Sequence, residues 1–177
     1  MKKTIDIILI IFIFFIIYFL ESNFFTWFNI AGVMPNLFVV LIMVIGLFMK
    51  KKNGFIFGIL FGLLLDLFIG VKIGINAISL AIVGLCAELL DKSFSKDNRI
   101  TVMFLTSILT IVAEVITYTL QIVFCGANLQ IPQFIRILVI EIIFNTIFIA
   151  LFYPLFLSFG TKIENDFTNN SFLKFWK

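Results

Sequence analysis

The length of its uninterrupted apolar segments constrains this chain more than any other feature. A helix that crosses a membrane needs about 20 mostly apolar residues, and six segments approach or exceed that length. They cover about residues 4–20, 35–49, 54–71, 74–90, 100–124 and 134–159. The chain is also 62% hydrophobic and only 13% charged, which is unlike the balance of soluble domains. We therefore predict an all-α integral membrane protein with a single transmembrane domain over residues 1–177.

The first two segments allow more than one interpretation. Lys2 and Lys3 precede the first segment, as basic residues precede the apolar part of a signal peptide, but the large aromatics after Asn23 make a poor cleavage site. We expect a retained helix. The second segment is short, and residues 30–34 are expected to extend it, because Pro35 is tolerated near a helix start.

The basic residues are distributed unevenly between the ends of these helices. Of the 13 Lys and Arg residues, only Lys72 and Arg136 fall on or near one side. The other side carries Lys2, Lys3, Lys50, Lys51, Lys52, Lys92, Lys96, Arg99, Lys162, Lys174 and Lys177. Because loops rich in Lys and Arg stay in the cytoplasm, this distribution predicts six spans with both termini inside.

The residue composition argues against several classes of function. The chain has no His and only 2 Cys, so the usual zinc, iron and thiol sites lack ligands, and we expect neither metal nor cofactor. Cys86 and Cys125 belong to opposite ends of consecutive helices, too far apart for a disulfide, and are expected to be small apolar fillers. The net charge of +3 is too small and too scattered to indicate nucleic-acid binding.

The stretch GFIFGILFGLLLD, residues 54–66, places small residues on one face of the third helix. Gly54, Gly58 and Gly62 are each four positions apart, and Asp66 continues the series. In lipid, helices associate through close contact, which small residues permit. The partner is either a helix of the same chain or a second copy in a homodimer. The fourth helix offers a small face at Ala77, Ala81 and Gly84.

Acidic and polar residues recur within the predicted spans. An acid at the middle of a membrane helix costs about 2.5–3.5 kcal/mol on insertion scales, so Asp66, Glu114 and Glu141 should face protein or water. The fifth helix carries a polar stripe at spacings of three or four, formed by Ser107, Thr110, Glu114, Thr117, Tyr118 and Gln121. In the sixth helix Glu141 and Asn145 share a face.

These residues suggest one shared site. With 1.5 Å of rise per residue, all three acids fall in the outer half of the membrane, and we expect them to line one polar cavity that opens outward. Arg136 or Lys72 would supply a counter-charge, since three such close carboxylates would not all ionise. The alternative is that each polar residue is an interhelical hydrogen-bond contact with no further role.

Two segments are expected to lie at the membrane surfaces. Residues 21–34, ESNFFTWFNIAGVM, are rich in aromatics and form either an interfacial belt or a docking surface for a partner. The tail FLKFWK, residues 172–177, alternates aromatics and bases, which suits contact with anionic lipid of the inner leaflet.

Three motifs together resemble the MreD family of bacterial rod-shape proteins. They are MPNL at 34–37, GFIFGILFGLLLDLFIGVKIG at 54–74 and EIIFN at 141–145. That family has Pro-Asn or Pro-Asp opening the second helix, Gly-Leu-x-x-Asp followed by glycines in the third, and Glu-x-x-Tyr-Asn in the last. The matching residues are Pro35, Asn36, Gly62, Asp66, Gly70, Gly74, Glu141 and Asn145. Phe144 stands where the family has Tyr.

The resemblance implies a function that the composition alone does not. It implies a scaffold in the bacterial cytoplasmic membrane that joins MreC and the actin-like MreB to peptidoglycan synthesis by RodA and its penicillin-binding transpeptidase. It also implies a bundle similar to the S-components of vitamin transporters, and a small-solute-binding S-component is the alternative function. No nucleophile–base pair is apparent. An intramembrane aspartyl protease needs two catalytic aspartates, and Asp66 is the only aspartate well inside a span. We therefore do not expect an enzyme.

Overall fold

The structure, a computed structural model, describes residues 2–30, 32–49, 53–69, 72–91, 97–126 and 128–168. These residues are almost entirely helical, and extended pairing within them is limited to an isolated bridge between Ile30 and Val33. The helices are α1 (Lys2–Phe19), α2 (Phe25–Trp27), α3 (Leu37–Phe48), α4 (Asn53–Phe68), α5 (Ile75–Asp91), α6 (Arg99–Cys125) and α7 (Ile131–Thr168). A π-helical turn, Leu20–Phe24, joins α1 to α2. The all-α prediction is confirmed.

The helix α3 lies at the centre of the bundle. Each of its 12 residues is buried, and α1, α4, α5, α6 and α7 all pack around it. A helix that is apolar on every side belongs in such a core position. Residue 30 and residues 32–34 do not extend it as predicted, because Asn36 caps the helix at Leu37. At 1.5 Å per residue it is about 18 Å long, shorter than the hydrocarbon layer of about 30 Å.

The outer helices have the length and composition of membrane spans. Among the described residues, three helical stretches are long and apolar enough to cross a membrane, namely Ile7–Trp27, Arg99–Cys125 and Ile131–Lys162. Shorter apolar helices are Leu37–Phe48 and Asn53–Phe68. Large apolar side chains such as Phe12, Phe104 and Leu151 point away from the bundle. These features are those of a membrane protein.

Contacts between helix ends show that consecutive helices run in alternate directions. At one end, which we call the cavity end, Lys72 Nζ donates a hydrogen bond to the Phe124 carbonyl, and Leu37 N–H donates to Glu21. At the opposite end, Arg99 Nη2 lies 2.7 Å from the Ala150 carbonyl oxygen. Each long helix therefore starts at the end of the bundle that the previous long helix has reached and runs back in the opposite direction.

The glycine face of α4 packs directly on α5. A Cβ added at Gly54 would lie 2.7 Å from Gly46 Cα and 2.8 Å from the Gly84 oxygen, closer than real Cβ contacts. A Cβ at Gly58 would overlap the Leu80 backbone. One at Gly62 would overlap Ala77. The two backbones are in contact along the whole face, so this face is not available as a seam between two copies of the chain.

Gly70 and Gly74 were also predicted to pack against another helix, but the structure does not show them in such a contact. Gly74 lies in the turn before α5, where an added Cβ would meet nothing within 4 Å. Its φ of +110° is a conformation that favours glycine, so it shapes the turn and does not pack against a helix. Gly70 lies outside the described residues, as does the predicted lipid-binding tail 172–177. Both cysteines are free thiols.

Candidate functional site

A cavity of about 680 Å³ lies at the cavity end of the bundle, between α6, α7 and the segment that precedes α3. Three acids line it: Glu21, Glu114 and Glu141. The neutral polar lining residues include Asn36, Asn76, Thr117, Tyr118, Gln121, Asn128, Gln130 and Gln133. Pro35, Phe38, Leu65, Ile69, Phe134 and Ile137 are among its apolar lining residues. None of the described lining residues is basic.

The buried start of α3 forms one wall of the cavity. The first N–H groups of a helix have no partner within it. Here Asn36 Oδ1 accepts from Val39 N–H at 3.3 Å, and Glu21 Oε1 accepts from Leu37 N–H. A carboxylate at this position is also favoured by the helix dipole. The chain thus caps α3 with its own Asn36 and with an acid from the end of the first long helix.

Two glutamates form the deep part of the cavity. The carboxyl groups of Glu114 on α6 and Glu141 on α7 lie within hydrogen-bonding reach of each other and of the Asn36 side chain. Glu141 is only 4% exposed. Two carboxyl groups that share a site do not both ionise readily, which favours a proton on one of them. The two helices therefore bring together acids that are 27 positions apart in the chain, Glu114 and Glu141.

Asn145 lies behind these acids and is fully buried. Its Oδ1 accepts from the Asn36 backbone N–H at 3.1 Å, and its Nδ2 donates to Thr110 Oγ1 at 3.1 Å. Farther from the cavity, the Ser107 and Thr146 hydroxyls are 3.0 Å apart. Asn145 is not part of the cavity wall. It ties the segment before α3 to both α6 and α7.

Tyr118 shapes the mouth of the cavity. Its hydroxyl accepts a hydrogen bond of 2.7 Å from the Gln130 N–H, which ties the connection after α6 back to that helix. Its ring stacks on Phe134 with 4.4 Å between centroids. One side chain thus holds the loop and the start of α7 against α6.

Asp66 has a different place from the one predicted. It is 3% exposed but does not line the cavity. Its carboxylate accepts from Gly74 N–H at 2.7 Å, Asn76 N–H at 3.0 Å, Asn76 Nδ2 at 2.9 Å and Ala77 N–H at 3.2 Å. The tight turn after α4 brings the unpaired donors at the start of α5 to this acid, so its bonding capacity is used there. Asn76 connects the two places, since it also lines the cavity.

The predicted counter-charges are also absent from the described cavity wall. Lys72 Nζ donates to the Phe124 carbonyl. Arg136 is exposed, because the cavity face of α7 follows the helical spacing of Gln133, Ile137 and Glu141, and position 136 falls off that face. The acid that the structure adds is Glu21, which sequence patterns placed only in a surface segment. Glu21 lies four residues beyond Ile17 and continues its helix face, but only the structure shows that this face is buried, so no sequence pattern indicated the position of Glu21.

Comparison with protein-family models gives a match over most of the chain. The model described as rod shape-determining protein MreD matches residues 2–163. That range includes the cavity residues and the α4–α5 contact. No curated protein and no solved structure matches the chain.

Proposed function

This chain belongs to the MreD family of rod shape-determining proteins, and from that premise we propose that it is a non-catalytic membrane scaffold. Family membership establishes a role in rod-shape determination. In the proposed role the protein links MreC and the MreB cytoskeleton to the RodA and penicillin-binding transpeptidase complex during elongation. The observation that carries the proposal is the family match over residues 2–163. That match gives no support to the alternative of a transporter S-component.

The internal packing supports a scaffold. Buried and half-buried polar side chains hold helix starts and loops: Asp66 caps α5, Glu21 and Asn36 cap α3, and Asn145 joins three segments. Backbone contact between α4 and α5 leaves no room for adjustment. Such a bundle presents its outer helix faces in a constant arrangement, which suits the binding of partner helices.

We assign the protein to the bacterial cytoplasmic membrane with six spans and both termini inside. The alternating helix directions and the positions of Arg99 at one end and Lys72 at the other support this topology. The short α3 is compatible with it, because irregular backbone at membrane depth is tolerated where it lines a cavity, as residues 32–36 do. On this assignment the cavity opens outward. Reporter fusions after residues 52, 98 and 177 should all give cytoplasmic signals, and an external signal from any of them contradicts the topology.

Depletion of the protein in a rod-shaped host tests the proposed role. Cells should become round within a few generations and recover on re-expression of the wild-type chain. Cross-linking followed by purification should recover MreC with the wild-type protein. Cells that remain rods after depletion, or purified protein that alone turns over a lipid-linked cell-wall precursor, would contradict the proposal.

A further inference from the structure

The cavity has the size of a small-molecule site. Its volume of about 680 Å³ lies in the range of about 300–1,000 Å³ that ligand pockets occupy. Along α6 the lining runs from Glu114 to Gln121, which is about 10 Å at 1.5 Å per residue. Glu141 is buried and Glu114 is half-buried, and neutral amides such as Gln121 and Gln130 are nearer the loops.

The acids that line the cavity have no basic partner among its described lining residues. Of its three acids, Glu21 is bonded to the start of α3. Within the described part of the chain, the hydrogen-bonding neighbours of Glu114 and Glu141 are each other and Asn36. The described lining residues include no base. A buried carboxyl group either holds a proton or is paired with a positive group, and the described part of the chain supplies no positive group at this cavity.

The remaining lining residues favour an organic cation over a bare metal ion. The stacked rings of Tyr118 and Phe134 both line the cavity, and aromatic faces attract ammonium and guanidinium groups. Phe38, Leu65 and Ile137 provide apolar surface between the acids and the mouth. An apolar stem would be covered there while a charged head reaches the acids.

We propose that this cavity binds an organic cation, an ammonium or guanidinium group on a short apolar stem, with the Glu114–Glu141 pair as its counter-charge. The cation is carried either by a free amine or by a basic side chain of a partner protein. This site goes beyond the scaffold role and does not depend on it, since a cavity that binds no cation leaves the rod-shape test unchanged.

Thermal unfolding of the purified full-length protein in detergent tests the site. The probe is n-butylguanidinium, and n-butylurea is its neutral counterpart of the same shape. At tenfold excess over its Kd the cation should raise the melting temperature by about 3–5 °C, because it binds only the folded protein. The urea should have no such effect. No shift with the cation, or an equal shift with both compounds, overturns the proposal.

Variants of the two glutamates test whether the cation raises the melting temperature by binding in the cavity. The double variant Glu114→Gln, Glu141→Gln should lose the shift, whereas Glu88→Gln, which removes an acid outside the cavity wall, should keep it. Should the double variant not fold, carbodiimide labelling of the wild-type protein gives the same information. The cation should protect Glu114 and Glu141 against labelling and leave other carboxyl groups unchanged. Absence of protection overturns the assignment.

Labelling in native membranes distinguishes the two sources of the cation. Carbodiimide without added amine couples a carboxyl group to an adjacent amine by forming an amide and releasing the corresponding urea. A small mass added at Glu114 or Glu141 that differs from the carbodiimide's own acylurea adduct identifies a free amine. A peptide cross-linked at either position identifies a lysine of a partner protein.

Discussion

The starts of α3 and α5 are built in the same way but have different surroundings. Each helix begins inside the bundle, and each receives a carboxyl group from the preceding long helix: Glu21 for α3 and Asp66 for α5. At α5 the acid accepts four hydrogen bonds and the neighbouring helices touch backbone to backbone. At α3 two more glutamates are present, and a cavity of about 680 Å³ opens beside them.

The difference shows that an acid inside a membrane protein is not by itself a mark of a binding site. Asp66 is saturated by backbone and side-chain donors, so its capacity is used in the fold. Glu114 and Glu141 have fewer donors than acceptor positions and face open space. Small residues on α4 and α5 let the backbones of those helices pack in direct contact. The Tyr118–Phe134 stack instead occupies the space between α6 and α7 near the loops.

The largest effect is expected from filling the α4–α5 contact. Gly62→Leu would place a side chain against the Ala77 backbone, which has no room to move, and should destabilise the fold by more than about 3 kcal/mol. Unfolding in detergent and the yield of folded protein measure it. Leu60→Phe adds volume on the exposed face of the same helix and should have little effect. Equal losses in both variants would show that the close contact is not important.

Removing Asp66, the acid at the start of α5, should have the next largest effect on stability. Asp66→Leu leaves the N–H groups of Gly74, Asn76 and Ala77 without an acceptor and should cost about 2–4 kcal/mol. The same unfolding assay measures it. Glu88→Leu, on the last turns of α5, is the matched control and should cost less. If the order of the two variants were reversed, the capping role of Asp66 would have to be abandoned.

The smallest change in stability is expected for isosteric amide substitutions, which distinguish the role of Glu114 from that of Asp66. Glu114→Gln keeps the shape of the side chain and its hydrogen-bonding reach to Glu141 and Asn36, and should change stability by less than about 1 kcal/mol. Asp66→Asn is also isosteric, but its amide would turn an N–H group towards backbone donors, so it should cost about 2 kcal/mol. Equal costs would mean that both acids are structural.

Local sequence patterns predicted the helices and the faces on which their polar residues lie. The spacing of three and four along α6 placed Thr110, Glu114 and Tyr118 on one side of that helix, as they are in the structure. Glu141 and Asn145 likewise face inward together. These properties depend on the 3.6-residue turn of a single helix. They can therefore be predicted from the spacing of residues in that helix, without knowing which helices pack against it.

The amino-acid sequence alone is therefore enough to predict an all-helical membrane chain, its family and the inward faces of its helices. The tertiary structure decided which polar group meets which. The turn before α5 directed backbone donors to Asp66, the continuation of α1 through a π-helical turn brought Glu21 to α3, and Gly46 joined the α4–α5 contact. The physical reason is that a hydrogen bond or a close contact depends on the rotation and depth of two elements at once, and spacing along one helix carries no information about the other.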